Sequence, residues 1–177
     1  MSKHLMLGLA ALALLGVGPP LRGQGEQKES PRLDLDNVWE VPQVYVSLRL
    51  RASDRQLFVP YCGKLEVGSR TTTTLCTAGT HLEVQHGAEW LPAKLRRTFG
   101  ILGGERRLDL ADVSLVAPRT QVEVEYLFSR RYFEVEPGQK LRVIVDVWPD
   151  EQSMRSGGKS TQIASPPFEC PHDFIIR

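Results

Sequence analysis

The sequence predicts an all-β fold, a sandwich or barrel built from seven to nine short strands. Apolar and polar residues alternate at period two in several segments, and turn signals recur about every 8 to 15 residues. No long stretch of the chain shows the period of a helix. These observations favour sheets packed face to face over a helical bundle.

The clearest predicted strand is residues 44–51. Its apolar positions fall on one face and its polar or amphipathic positions on the other, which is typical of a strand between core and water. The apolar set is Val44, Val46, Leu48 and Leu50, and the opposite set is Tyr45, Ser47, Arg49 and Arg51.

Other segments continue the β pattern. Strands are predicted at 56–61, 71–75, 81–85, 89–95, 108–116, 122–127, 141–148 and 162–169, with a short helix over 105–117 as an alternative to the fifth of these. Residues 86–88 have the size of a hairpin loop. Pro137 followed by Gly138 predicts a type II turn, and residues 150–160 have the composition of a flexible loop.

The first residues have the composition of a secretory signal peptide. Lys3 precedes an apolar run at residues 5–17, and small residues lie near Gly23. A spanning helix needs about 20 residues, so the run is short for an uncleaved anchor, which is the alternative. We expect residues 1–23 to be removed during export to the periplasm or the outside of the cell.

The remaining chain has the size of one domain. Removal of residues 1–23 leaves 154 of the 177 residues. Residues 24–38 are polar and lack apolar periodicity, so we expect a flexible leader there and a single domain at 39–177. Loss of Lys3 and Arg22 changes the formal net charge from +1 to −1. Such a balance offers no basic footprint for nucleic acid or an anionic membrane.

The chain has three cysteines, and export would permit disulfides between them. Cys62 and Cys76 flank a loop of about 15 residues, whose closure contributes roughly 3 kcal/mol in the chain-entropy account. We predict that pair, with Cys62 to Cys170 as the alternative. An odd count would leave Cys170 as a free or intermolecular thiol.

Four segments occur in an order that resembles a known family. They are a strand that ends in a polar break and is followed by LFVPYCG, then HGAEWLPA, VEPGQKLRVIVDVW and SPPFEC, and together they cover residues 44–170. The order resembles the immunoglobulin-like domains of small exported bacterial proteins of unknown function, and more distantly the bacterial intracellular proteinase inhibitor domain. The resemblance implies an immunoglobulin-like antiparallel β-sandwich of seven to nine strands. Its matched residues are structural, so it implies no functional residue.

Few residues have a pattern that indicates chemistry. Cys170, His172 and Asp173 lie within four positions, but a tail after a strand holds a catalytic site poorly. His81 and His86 lack metal-ligand spacing with them. We therefore predict no catalytic residue, no metal site and no cofactor. Trp39, Trp90 and Trp148 are interpreted as core or core-edge residues, with an exposed aromatic platform as the alternative.

Three functional hypotheses follow. The leading one is an exported, non-enzymatic binding or assembly module for an unknown protein or envelope component, acting through loops or through strand addition at a proline-poor edge. The second is a protease inhibitor that presents a basic loop. The third is a thiol or metal-binding protein using Cys170 and His172. The predicted partner-binding loop residues are Arg96, Arg97, Arg106, Arg107, Met154 and Arg155.

Overall fold

A computed structural model describes residues 29–40, 43–67, 70–96 and 112–172, without the side chains of residues 64–67, 70–72 and 77. Within these ranges the chain forms eleven strands, one short helix and a 3-10 turn at Thr77–Gly79. The strands are β1 Arg32–Glu40, β2 Val44–Arg51, β3 Leu57–Val67, β4 Arg70–Leu75, β5 Thr80–His86, β6 Glu89–Pro92, β7 Asp112–Val116, β8 Gln121–Phe128, β9 Lys140–Val147, β10 Thr161–Ala164 and β11 Phe168–Glu169, and helix α1 is Glu151–Arg155. The predicted signal peptide lies outside the described residues.

The strands form two sheets. The six-stranded sheet has the order β1-β2-β8-β4-β3-β7, and the five-stranded sheet has the order β10-β9-β5-β6 with β11 also paired to β9. Neighbours are antiparallel except β4 and β8, which run parallel. The all-β prediction is confirmed. The purely antiparallel expectation is wrong at β4 and β8, and the mixed sheet is not clearly immunoglobulin-like.

The core lies between the two sheets. In β2 the four apolar positions are fully buried and the alternate positions are partly exposed, as the period-two pattern predicts. Strand β9 contributes Leu141, Val143, Val145 and Val147 from the opposing sheet. Alternation places one face of each sheet in the core because successive side chains of a strand point to opposite sides.

Backbone pairing joins the sheets at two corners. At the first corner, the N–H of Phe58 donates to the carbonyl of Trp148 at 2.8 Å, and the N–H of Trp148 donates back at 3.0 Å. At the second corner, Leu95 pairs with Phe133, since the N–H of Glu134 donates to Lys94 at 2.8 Å. The sandwich is therefore tied by main-chain hydrogen bonds as well as by apolar contact.

The predicted leader is partly a strand. Strand β1 begins at Arg32, within the segment 24–38 that we expected to be flexible, and it pairs along the whole of β2. Leu33 is buried, while Asp34 and Asp36 lie 2.7 Å and 3.0 Å from the guanidinium groups of Arg51 and Arg49. Two of the polar residues in the predicted leader are thus the partners of arginines on β2.

Two further differences concern the strand count. Eleven strands are present in the described residues instead of seven to nine. Strand β1 accounts for one, and the predicted strand at 162–169 is two strands, β10 and β11, because Pro166 and Pro167 interrupt the ladder to β9. The sequence predicted a strand at 108–116, with a short helix over 105–117 as the alternative. The described part of this segment, residues 112–116, is strand β7.

Both predicted turns contain a glycine with a positive φ angle. Gly138 has φ 77°, and the N–H of Gln139 donates to the carbonyl of Glu136 at 3.2 Å, which confirms the type II turn. Gly87 has φ 61° in the two-residue loop between β5 and β6. A left-handed backbone at these positions suits glycine because it has no Cβ.

The predicted flexible loop 150–160 contains an ordered helix. Asp150 caps α1 by accepting from the N–H of Ser153 at 2.7 Å and from its hydroxyl at 2.8 Å. Met154 on the helix is fully buried, and the indole N–H of Trp148 donates to the carbonyl of Gly158 at 3.0 Å. The cap, the buried methionine and the indole hydrogen bond together attach this segment to the core.

Substitution of Leu48 tests the assignment of the core. We expect Leu48→Ala to lower the free energy of unfolding by about 2 to 5 kcal/mol, because it leaves a cavity at a fully buried site. Leu91→Ala is the matched control at an exposed leucine and should change it by less than about 0.5 kcal/mol. Urea denaturation measures both, and equal effects would contradict the assignment.

The cap of α1 predicts a dependence of stability on pH. Hydrogen bonds from the backbone and hydroxyl of Ser153 lower the pKa of Asp150 below its ordinary value of 3.8. The ionised cap therefore stabilises the fold above pH 3.8, and this contribution is lost as the pH falls through the lowered pKa. The stability difference between the wild type and Asp150→Asn should shrink on acidification in denaturation curves. A difference that stays constant down to pH 2 would contradict the assigned cap.

Candidate interaction surface

The structure gives Arg96 a role within the fold. Its Nε donates to the carbonyl of Phe133 at 2.9 Å and to that of Arg130 at 3.3 Å, and its Nη2 lies 3.6 Å from the carboxylate of Glu136. The backbone N–H of Arg96 also donates to Tyr132 at 2.8 Å. We predicted that Arg96 contacts a partner, but its guanidinium instead binds the segment that pairs with it at the second corner. Arg97, Arg106 and Arg107 lie outside the described residues.

The prediction that Met154 contacts a partner is wrong. Its side chain is 0% exposed, because α1 turns it into the protein. The neighbouring Arg155 donates to Glu151 at 2.7 Å along the same helix. A helical segment whose methionine is buried lacks the extended, protruding backbone that a loop needs to enter a protease cleft.

The disulfide prediction is confirmed. Cys62 and Cys76 are bonded, with Cα atoms 5.0 Å apart. The bond joins β3 to the 3-10 turn, near the first corner.

Cys170 lies elsewhere, after β11, and its side chain is 0% exposed. Its backbone N–H donates to Gln139 at 2.8 Å, and its carbonyl accepts from Gly138 at 2.9 Å. A thiol at that depth cannot meet a cysteine of another chain while the fold is intact. His172, two residues later, is exposed, so the buried thiol and the imidazole face different environments. Asp173 lies outside the described residues.

Exposed apolar residues concentrate at the second corner of the sandwich. The described part of the chain has four large apolar side chains that are well exposed, and three of them are Leu91, Leu95 and Tyr132. We call these three residues the β6 corner. Leu95 is the most exposed of them at 64%.

The hairpin of β5 and β6 positions this surface. Leu91 lies opposite Val84, but its side chain extends beyond the core and is 45% exposed. Beyond β6, Leu95 pairs with Phe133, and the residue after it bonds to the carbonyl of Tyr132. Leu95 and Tyr132 are therefore on adjacent, hydrogen-bonded chain segments.

Trp90 lies on the outer face of the five-stranded sheet. The Arg142 guanidinium carbon is 4.5 Å from the centre of its ring, within range of a cation–π contact. Arg142 in turn donates from Nε to Glu83 at 2.7 Å, and His81 Nε2 lies 3.6 Å from the other carboxylate oxygen of Glu83. Arg142 contacts Trp90 on one side and Glu83 on the other, so its guanidinium has a fixed position over the indole ring.

The three tryptophans occupy separate places. Trp148 is buried, as the core interpretation predicts, and Trp39 stacks on Tyr45 at 5.4 Å on the six-stranded sheet. They do not form one aromatic platform. The sequence pattern of 89–95 gave no sign of exposure, because Leu91, Ala93 and Leu95 have the spacing of a core-facing strand.

Comparison with known proteins gives no match to a family model, a curated sequence or a solved structure. Among the residues described above, no helix is long and apolar enough to cross a membrane. The same residues contain no group of three or more histidine, cysteine, aspartate or glutamate side chains placed to hold a metal ion. The surface geometry therefore carries the functional proposal.

Proposed function

We propose that the mature chain is an exported, non-enzymatic binding or assembly module that engages a protein of the cell envelope through the β6 corner. The observation that carries this proposal is that Leu91, Leu95 and Tyr132, three of the four well-exposed large apolar residues of the described chain, lie on β6 or on the segments that meet at the second corner. Clustered apolar side chains at a surface mark interaction sites, whereas scattered ones are ordinary.

The residue types support a protein partner. Tryptophan, tyrosine and arginine are the side chains that most often dominate binding energy at protein interfaces. Tyr132 supplies one such side chain at the β6 corner, and Leu91 and Leu95 supply apolar area near it. The partner surface that fits is an apolar pocket or groove able to cover Leu95 and Tyr132.

The charges around the β6 corner fit the same conclusion. Glu89 and Glu134 are exposed, and Lys94 lies between the strand and the second corner. A rim of both signs is typical of protein interfaces and offers no continuous positive surface for a nucleic-acid backbone.

Export is part of the proposal. The disulfide between Cys62 and Cys76 supports it, because such bonds persist in oxidising compartments outside the cytosol. The composition of residues 1–23 supports it independently. The immunoglobulin-like assignment remains part of the proposal, with the two-sheet architecture as its support.

A binding assay on matched variants tests the function. The purified mature protein is used as bait in an envelope fraction, and the captured protein is then purified and titrated by calorimetry. We expect Leu95→Asp to weaken binding at least 10-fold, because it places a charge in the apolar contact. Leu115→Asp is the control at a leucine that is 54% exposed on β7, which belongs to the six-stranded sheet, whereas β6 belongs to the five-stranded sheet.

Both variants should unfold at the wild-type urea concentration, since both side chains are at the surface. Unchanged affinity of Leu95→Asp and of Tyr132→Ala would contradict the proposed site. Failure to capture any envelope protein with the wild type would contradict the proposed function.

A further inference from the structure

The described chain has four sheet edges, and three of them carry features that hinder pairing with another strand. Strand β1 has a register shift between Leu35 and Asn37 and a row of ion pairs. Strand β6 ends in Pro92, and the edge made by β10 and β11 is interrupted at residues 166–167. Bulges, charges and prolines are the usual means by which edges resist association.

Strand β7 has no register shift and no proline, and its one charged residue is its first, Asp112. Its sequence is DVSLV, it pairs with β3 on one side, and no described strand lies on its other side. Leu115 on this strand is 54% exposed, and it is the one well-exposed large apolar residue of the described chain outside the β6 corner.

The first corner determines which backbone groups of β7 point outward. Phe58 uses its N–H and carbonyl for Trp148, so these groups point away from β7 although Phe58 lies opposite Leu115. In an antiparallel pair, hydrogen-bonded and non-hydrogen-bonded positions alternate. Ser114 and Val116 therefore bond to β3, and the N–H and carbonyl groups of Val113 and Leu115 face outward.

We propose that β7 pairs antiparallel with β7 of a second copy of this chain, around a two-fold axis at Ser114. In this register Val113 lies opposite Leu115 of the partner subunit, and the reciprocal pair forms by symmetry. Both pairs are of the hydrogen-bonded kind, so every outward group of Val113 and Leu115 obtains a partner. This inference does not rest on the β6 corner.

Other registers use the strand less well. If the two-fold axis lay at Val113, Leu115 would lie opposite a residue beyond the end of the partner's β7. If the axis lay at Leu115, the same would be true of Val113. The two-fold at Ser114 alone keeps all four residues within the strands. That self-complementarity favours a second copy over an unrelated extended peptide.

Side chains and charges agree with this register. Val113 and Leu115 share the outer face with Phe58 and Pro60, so apolar residues meet apolar residues across the axis. Asp112 is the one charged residue of β7, and its copy lies four residues away along the strand direction, about 13 Å. The two Asp112 carboxylates therefore do not lie opposite each other. Because they lie at the ends of the paired strands, they limit the pairing to the central residues.

The strand pair is short. Stable interfaces bury about 1,200 Å² or more, and five residues from each copy supply a small interface. We therefore expect a dimer that dissociates on dilution. The dissociation constant should be measurable from the change of the average molecular mass with protein concentration.

Sedimentation of the mature protein over a range from micromolar to millimolar tests the proposal. We expect a shift from monomer to dimer mass, and we expect Leu115→Lys to raise the dissociation constant at least 10-fold, since a lysine on an edge strand opposes pairing. Leu91→Lys is the matched control at an exposed leucine of β6 and should leave the dimer unchanged.

Hydrogen exchange on the wild type supplies a second measurement that does not depend on a variant. The amides of Val113 and Leu115 should exchange more slowly at high protein concentration, whereas those of Ser114 and Val116 should be protected at both concentrations. A monomer at all concentrations, a dimer that survives Leu115→Lys, or exchange at Val113 and Leu115 independent of concentration would overturn the proposal. Loss of binding by Leu95→Asp with the dimer intact would separate this surface from the β6 corner.

Discussion

The two main-chain corners are the constraint on which the rest of the structure depends. Pairing of Phe58 with Trp148 ties the start of β3 to the end of β9, and pairing of Leu95 with Phe133 ties the segment after β6 to the segment after β8. Buried apolar side chains hold the sheets together without directional preference, whereas these hydrogen bonds fix how the sheets are offset. Both surfaces proposed for association follow from that offset.

Polar groups at the second corner show how the closure is maintained. Arg96 donates to two carbonyls there, and Arg130 forms a bidentate pair with Glu40 at 3.0 and 3.1 Å, with both side chains only 15% exposed. A partly buried bidentate pair is stronger and more directional than an exposed one. Arg96, which we predicted for a partner, is thus used within the fold.

Local patterns predicted the parts of the fold that depend on local physics. Alternation in β2 identified its buried face, and Pro137-Gly138 identified its turn, because both depend on adjacent residues. Strand β1 pairs with the next strand of the chain, but its residues lack strict alternation, so the sequence pattern did not reveal it. The parallel pairing of β4 with β8 depends on residues far apart in the sequence, so no local pattern contained it. The exposure of Leu95 was hidden for the same reason, since its spacing is that of a core residue and its surroundings come from residue 133.

Native-state hydrogen exchange at the two corners tests the central claim most directly. The amide hydrogens of Phe58, Trp148, Arg96 and Glu134 donate across the corners, so they should exchange as slowly as those in the centre of β2. Slow exchange at all four would establish that the closure opens only when the domain unfolds. Fast exchange at these amides, with β2 still protected, would contradict the account, because sheets free to shift could not fix either surface.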